Sequence, residues 1–249
     1  MSTGSATASR LRVTDLGRGA YGPVLKLQER MVEDRKAGRI PDTLLLVEHD
    51  PVYTLGRNAD DAHVLLREDE LKRRGIEVFR IGRGGDVTYH GPGQIVGYPI
   101  INLKERGRSI VGYVDGLEQV IIRTLRHYGV ESASDRRNRG VWVGDSKVAA
   151  IGVRVTRYVT MHGFSLNVCA DLGHYRGIIP CGIRDKGITS LHLLAPRVEM
   201  ADVKEKVVKE FVKVFGYGGV SGRDGASSNG QGSSLKAQVW RNRHLSLER

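Results

Sequence analysis

The sequence predicts a single large domain in which helices are combined with a largely antiparallel sheet. Three observations carry this reading. Residues 140–168 hold three β-rich segments joined by short connections, the pattern of an antiparallel meander. Two segments, one starting at Ser109 and one around Val203–Val214, place apolar residues at helical spacing. A chain of 249 residues can bury a substantial core without dividing into two domains.

Taken in order, Arg12 to Leu16 reads as a first strand. Pro23 then opens a helix whose Val24, Leu27 and Met31 share one face, and Gly38 with Pro41 ends it. Thr43 to Glu48 (TLLLVE) is a buried strand, and Pro51 to Leu55 continues as a second extended piece. Val64 to Arg74 is charged and weakly helical, a solvated cover. Ile76 to Ile81 alternates apolar and polar residues and leads into a glycine-rich loop, which sets that loop at a strand end. Between Ile81 and Leu103, six glycines and two prolines crowd beside a strand from Ile95 to Asn102. Such backbone lets a ligand approach the main chain closely.

Ser109 can cap a long helix with Ile110, Val114, Leu117, Ile121 and Leu125 as its core stripe, ending near Gly129. After the meander a looser segment runs from Cys169 to Pro180. Val203, Val207, Phe211 and Val214 then define an amphipathic helix near the C-terminus. From Gly216 to Ser234 the composition is Gly/Ser-rich and too poor in large apolar residues to offset the entropy of ordering. The expected organisation is a flexible N-terminus at 1–12, one domain at 13–215 and a flexible tail at 216–249.

No apolar run approaches the roughly eighteen residues needed to span a bilayer, and the N-terminus lacks the apolar core of a secretory signal. A cytoplasmic protein is therefore the expectation. Two cysteines do not make a disulfide framework and are expected as thiols. Lys and Arg number 39 against 28 Asp and Glu, a net +11, of which +8 lies before residue 221. This surplus favours acidic partners of any kind. No RNP1 motif, paired Cys/His finger or Lys/Arg-dense helix argues for nucleic acid.

Two thiols and one lysine stand out as chemistry. A free thiol is only a few per cent thiolate at neutral pH unless a cation or backbone dipole favours the anion. Lys147, at the bend of GVWVGDSKVAAIGVRV, could supply that field or take the proton, although an exposed lysine at a turn is the ordinary reading of such a position. Cys169 follows the alternating FSLNV and reads as a small apolar residue closing a strand. Cys181 lies between Pro180, which fixes the chain, and Gly182, which leaves the sulfur accessible and an N–H free for an oxyanion. A metal set of His162, Cys169, His174 and Cys181 lacks the tight ligand pairs of structural zinc sites. There is no GxGxxG, P-loop, GxSxG or HExxH motif.

Taken together, RGGDVTYHGPGQIVGYPIINL, GVWVGDSKVAAIGVRV, MHGFSLNV and IIPCGI, with LVEHDPVYTLGR before them, resemble the signature blocks of the lipoyl(octanoyl) transferases. The resemblance spans about Leu16 to Leu191. It implies an α+β domain similar to the biotin and lipoate protein ligase catalytic fold, with a larger mixed sheet, a smaller sheet and outer helices. It implies transfer of an octanoyl group from octanoyl acyl carrier protein to a lysine of lipoyl domains, those of the 2-oxoacid dehydrogenase complexes and the glycine cleavage H protein. The first step of protein lipoylation would then pass through a thioester on Cys181, with Lys147 lowering the thiol pKa. No cofactor is implied beyond the phosphopantetheine carried by the donor, and no metal, nucleic acid or membrane.

The same resemblance gives the acyl pocket to Arg83, Gly84, Gly85, Asp86, Val87, Thr88, Tyr89 and His90, with Ala150, Ile151 and Gly152 and with Gly163, Phe164 and Ser165. Two positions depart from the family's usual forms. Asp86 occupies a variable position, and Phe164-Ser165 stands where Leu-Ala is common, so the bulk of Phe164 bears on pocket length. Alternatives on the same fold are an amidotransferase acting between lipoyl domains and an ATP-dependent lipoate ligase. Outside it stands a non-catalytic basic binding module.

Overall fold

The computed structural model describes residues 9–179 and 186–224. Its larger sheet is assembled from β1 (Leu11–Gly19), β2 (Thr43–His49), β6 (Gln94–Ile100), β7 (Ala133–Ser134), β8 (Gly140–Val143), β9 (Ser146–Thr156), β10 (Val159–Asn167), β11 (Gly187–Ile188) and β12 (Val220–Asp224). The strand order is β12-β1-β2-β6-β10-β9-β8-β7, with β11 pairing β9. The β12–β1–β2 edge is parallel and the run from β2 to β7 antiparallel, which makes the sheet mixed. A smaller sheet, in the order β4-β3-β5, uses β3 (Val52–Leu55), β4 (Glu77–Arg80) and β5 (Val87–His90). The α+β class and the expected pair of sheets are both found.

Pleating explains how both faces of the larger sheet are covered. In β2 the residues Leu44 and Leu46 join a core with α3 (Ile110–Arg126) and α5 (Met200–Phe215), while Leu45 and Val47 face α1 (Tyr21–Lys36) on the other side. The helices α3 and α5 approach so closely that a Cβ on Gly116 would lie 2.9 Å from Cζ of Phe215. A second core under the smaller sheet gathers Tyr53, Leu55, Val87, Tyr89 and Tyr175. Two short helices, α2 (Glu68–Arg73) and α4 (Leu191–Leu194), lie between these elements in sequence.

Five details differ from the sequence reading, the first being that residues 11 and 12, expected in a flexible N-terminus, already belong to β1, with Leu11 fully buried. The first helix starts at Tyr21, two residues before Pro23. Ile110 leaves the expected core stripe and is 54% exposed, because α3 becomes buried only from Tyr113 onward. Cys169 does not close a strand in the core but is exposed just beyond β10. The tail does not begin at Gly216: that residue is the left-handed C-cap of α5, Tyr217 is buried, and β12 follows on the free edge of β1. Composition missed β12 because VSGRD has one apolar residue and is held by main-chain bonds such as Leu11 N to Gly219 O (3.0 Å).

Candidate active site

A cavity of about 720 Å³, its mouth included, opens between the two sheets. Its walls come from the loop before β5 and from β5, β6, β9 and β10. Of the residues assigned to a pocket, Arg83, Gly85, Asp86, Val87, Thr88, His90, Ala150, Ile151, Gly152, Gly163, Phe164 and Ser165 line it. Gly84 and Tyr89 do not. Gly84 is consumed by backbone bonding, its N–H donating to Val153 O (2.9 Å). Tyr89 points away from Thr88 and His90 because neighbours on a strand face opposite sides, and its ring stacks on His174 in the smaller core.

Arg83 is locked in place. Its Nη2 donates to Thr54 O (2.6 Å) and Thr54 Oγ1 (2.9 Å), and its Nη1 donates to Gly84 O (3.0 Å). The absence of side chains nearby permits this: a Cβ on Gly152 would lie 2.9 Å from Arg83 Cδ, and one on Gly56 would lie 2.8 Å from Nη1.

Lys147 also lines the cavity and is 6% exposed, so the ordinary reading of a solvated turn lysine does not hold. It is the second residue of β9, one step beyond the bend, and its Nζ donates to Arg139 O (3.2 Å). The indole of Trp142 is flanked by the Nζ atoms of two lysines, Lys147 at 4.8 Å and Lys186 at 4.7 Å. Cys181 lies outside the described residues. Its flanks are held: Ile179 N donates to His63 O (2.8 Å), and Thr189 N donates to Lys147 O (3.0 Å) with Ile188 in register with Lys147. Cys169, although exposed, is poorly suited to be a nucleophile, since partial desolvation and the nearby Glu48 raise its thiol pKa.

Several lining residues were not anticipated, among them Tyr21, Tyr98, His162, Asn167 and Tyr175. A buried polar chain joins some of them. His90 Nδ1 donates to Gln94 Oε1 (3.2 Å), Gln94 Nε2 donates to Tyr175 OH (3.1 Å), Tyr175 OH donates to Asn167 Oδ1 (3.3 Å), and Asn167 Nδ2 donates to Thr189 O (3.0 Å). Because the Gln94 amide nitrogen is committed to Tyr89 O and Tyr175, its oxygen must accept, which fixes the His90 tautomer. Burial pushes His90 and His162 down to about 3 and His49 to about 4, so all three are neutral imidazoles. The sequence did carry one signal for them: polar residues inside otherwise apolar strands, such as the His, Ser and Asn of MHGFSLNV. Among the described residues no group of three or more His, Cys, Asp or Glu could hold a metal ion.

With this geometry in view, the family model of the lipoyl protein ligase A/B catalytic domain matches residues 20–212. An octanoyltransferase of Alkaliphilus metalliredigens is 46% identical over 209 residues, covering 83% of this chain and 96% of that protein. An octanoyltransferase of Caldicellulosiruptor saccharolyticus is 48% identical over 210 residues, covering 83% and 89%. Among solved structures, a bipartite lipoate protein ligase of Thermoplasma acidophilum, described with its E2 lipoyl domain, matches with a TM-score of 0.68 at 15% identity, covering 94% of this chain and 91% of that one. At that identity the likeness is one of fold.

Proposed function

The chain belongs to the lipoyl protein ligase A/B catalytic-domain family and is an acyltransferase, and on that premise we propose that it moves an octanoyl group from octanoyl acyl carrier protein to a lysine of a lipoyl domain through a thioester on Cys181. The observation that carries this reading is the setting of Lys147, buried in the cavity wall and hydrogen-bonded through its main chain to the segment that follows Cys181. Lys147 faces the cavity from that wall, and Cys181 stands eight residues before the anchored Thr189 in the sequence.

The chemistry follows in two steps. The Cys181 thiol passes its proton to Lys147 and the sulfur attacks the thioester carbonyl, forming a new C–S bond as the bond to the carrier's phosphopantetheine sulfur breaks. The leaving thiolate takes up the proton. The lysine amine of the lipoyl domain then attacks the acyl-enzyme, gives a proton to Lys147, and forms the amide as the Cys181 sulfur leaves as the thiolate. Thioester exchange is close to thermoneutral and amide formation from a thioester runs downhill, so no nucleotide need be consumed. The apolar walls at Val96, Ala149, Ala150, Ile151 and Phe164 would bury most of the eight-carbon chain. At roughly 0.8 kcal/mol per methylene, that contributes about 5 kcal/mol to binding. The basic surplus before residue 221 favours encounter with acidic carrier and lipoyl domains.

Intact-mass analysis after incubation with octanoyl acyl carrier protein tests the reading. Wild type is expected to gain one octanoyl group that hydroxylamine removes, without ATP, and Cys181→Ala to gain none. An adduct that persists in Cys181→Ala and vanishes in Cys169→Ala would move the nucleophile to the other thiol. Turnover that requires ATP and releases pyrophosphate would replace the acyl-enzyme with an adenylate.

A further inference from the structure

The inner end of the cavity is more polar than an octanoyl chain requires. Lys147 lies on β9, two residues before the β9–β10 ladder begins at Ala149. His162 is the register partner of Val153, six residues further along β9, which is about 20 Å of strand. Between them the lining passes from Ala149, Ala150 and Ile151 to Tyr21, Tyr98 and His162.

His162 is 2% exposed and faces the cavity, yet its Nδ1 has no hydrogen-bond partner. Behind it Gln28 of α1 is fully buried. Its Oε1 accepts from the His162 amide (3.0 Å), and its Nε2 also has no partner. Buried polar atoms are ordinarily paired, and leaving one unpaired costs free energy. Here two such atoms belong to hydrogen-bonded neighbours. The backbone of His162 has a φ of 59°, a left-handed conformation uncommon outside glycine, although histidine adopts it more often than most residues. The adjoining polar groups are already engaged, His49 Nε2 with Tyr98 OH (2.7 Å) and His90 with Gln94.

We propose that the inner end of the acyl cavity is a hydrogen-bonding subsite, built on the His162 imidazole with Gln28 packed behind it, that takes a hydroxyl at the far end of a medium-length acyl chain. The subsite rests on the reading of this cavity as an acyl pocket. A neutral imidazole suits a hydroxyl in either tautomer, because the hydroxyl both donates and accepts. A terminal carboxylate fits less well, since its charge would be buried where the guanidinium of Arg83 is already engaged by Thr54 and Gly84. A terminal methyl makes no hydrogen bond to the ring.

The test compares pantetheine thioesters on the full-length protein by time-resolved intact mass. Each ω-hydroxyacyl donor of eight to eleven chain atoms is paired with the alkanoyl donor of equal heavy-atom number. At one or more lengths the hydroxylated donor is expected to acylate wild type at least about tenfold faster, the effect of one well-made hydrogen bond. His162→Leu should abolish that preference, and His162→Asn, which tolerates the left-handed backbone and keeps polar atoms, should retain part of it. A wild type that favours the alkanoyl donor at every length overturns the proposal whether or not His162→Leu folds. So does a preference that survives His162→Leu intact. Octanoyl-pantetheine separates the two readings: if it fails to acylate Cys181, the proposed function falls, and if it succeeds without any hydroxyl preference, only the subsite falls.

Discussion

A Cβ on Gly97 would lie 2.2 Å from Cζ of Phe164, the residue paired with it across the β6–β10 ladder. The phenyl ring lies against bare backbone, so the bulk that distinguishes Phe164 from leucine is absorbed by the missing side chain of its partner. Gly97→Ala is expected to push the ring toward the cavity. Overpacking of this kind costs about 1–3 kcal/mol, readable in urea denaturation, and the longest acyl chain accepted should shorten. An unchanged stability and chain-length profile would mean that the ring has room elsewhere.

Stability should fall steeply in mild acid. His49, His90 and His162 have folded-state values of about 4, 3 and 3, below their ordinary value of 6.5. Below pH 6.5 the unfolded chain binds protons that the folded chain refuses, so stability is lost as the pH falls from 6.5 toward 4. Each histidine contributes a slope of at most about 1.4 kcal/mol per pH unit. Denaturation midpoints measured between pH 7 and 4 should show this slope. His162→Asn should make it shallower, and an unaltered slope would remove His162 from the set.

Asp42 holds three elements at once. It accepts from Arg35 Nε (2.8 Å), from the Asn102 amide (3.0 Å) and from Tyr217 OH (2.9 Å), all with little solvent exposure. Asp42→Ala leaves a buried guanidinium without this partner, and a loss of about 3–5 kcal/mol is expected. Tyr217→Phe should cost about 1 kcal/mol. Thermal melts of the two variants would reverse this ranking if the network were carried by the tyrosine.

Lys147→Met keeps the length and apolar stem of the side chain while removing the amine. Single-turnover acylation by octanoyl acyl carrier protein should slow by about 10²–10⁴, the usual worth of a positioned proton-transfer group. The pH dependence of alkylation at Cys181 should shift upward. A variant that acylates at the wild-type rate would leave Lys147 with a packing role only.

What the sequence made legible was whatever depends on local pattern. TLLLVE could only be a strand buried on both faces, and the Ser109 cap forms as expected, its Oγ accepting from Gly112 N (3.0 Å). The meander of β8, β9 and β10 follows from three neighbouring β-forming runs. Facing direction was less legible. Tyr89 shares a motif with Thr88 and His90, but the pleat turns it to the other core, and no spacing rule fixes which member of an alternating pair meets a ligand. Lys147 looked like any lysine at a turn because its burial is imposed by Trp142, Arg139 and β11, which come from other parts of the chain. Tyr21 carried no signal at all, since a tyrosine that starts a helix says nothing of the cavity it will border.

The strand β12 gives the polypeptide's far end a task that its composition conceals. By zipping alongside β1 it shields a ladder of amides and carbonyls that would otherwise invite a stranger's backbone to add itself. Shortened versions ending at Gly216, the point where bulky residues run out, are therefore expected to self-associate on concentration. Versions that keep Asp224 should stay dispersed, and light scattering on the pair would tell them apart.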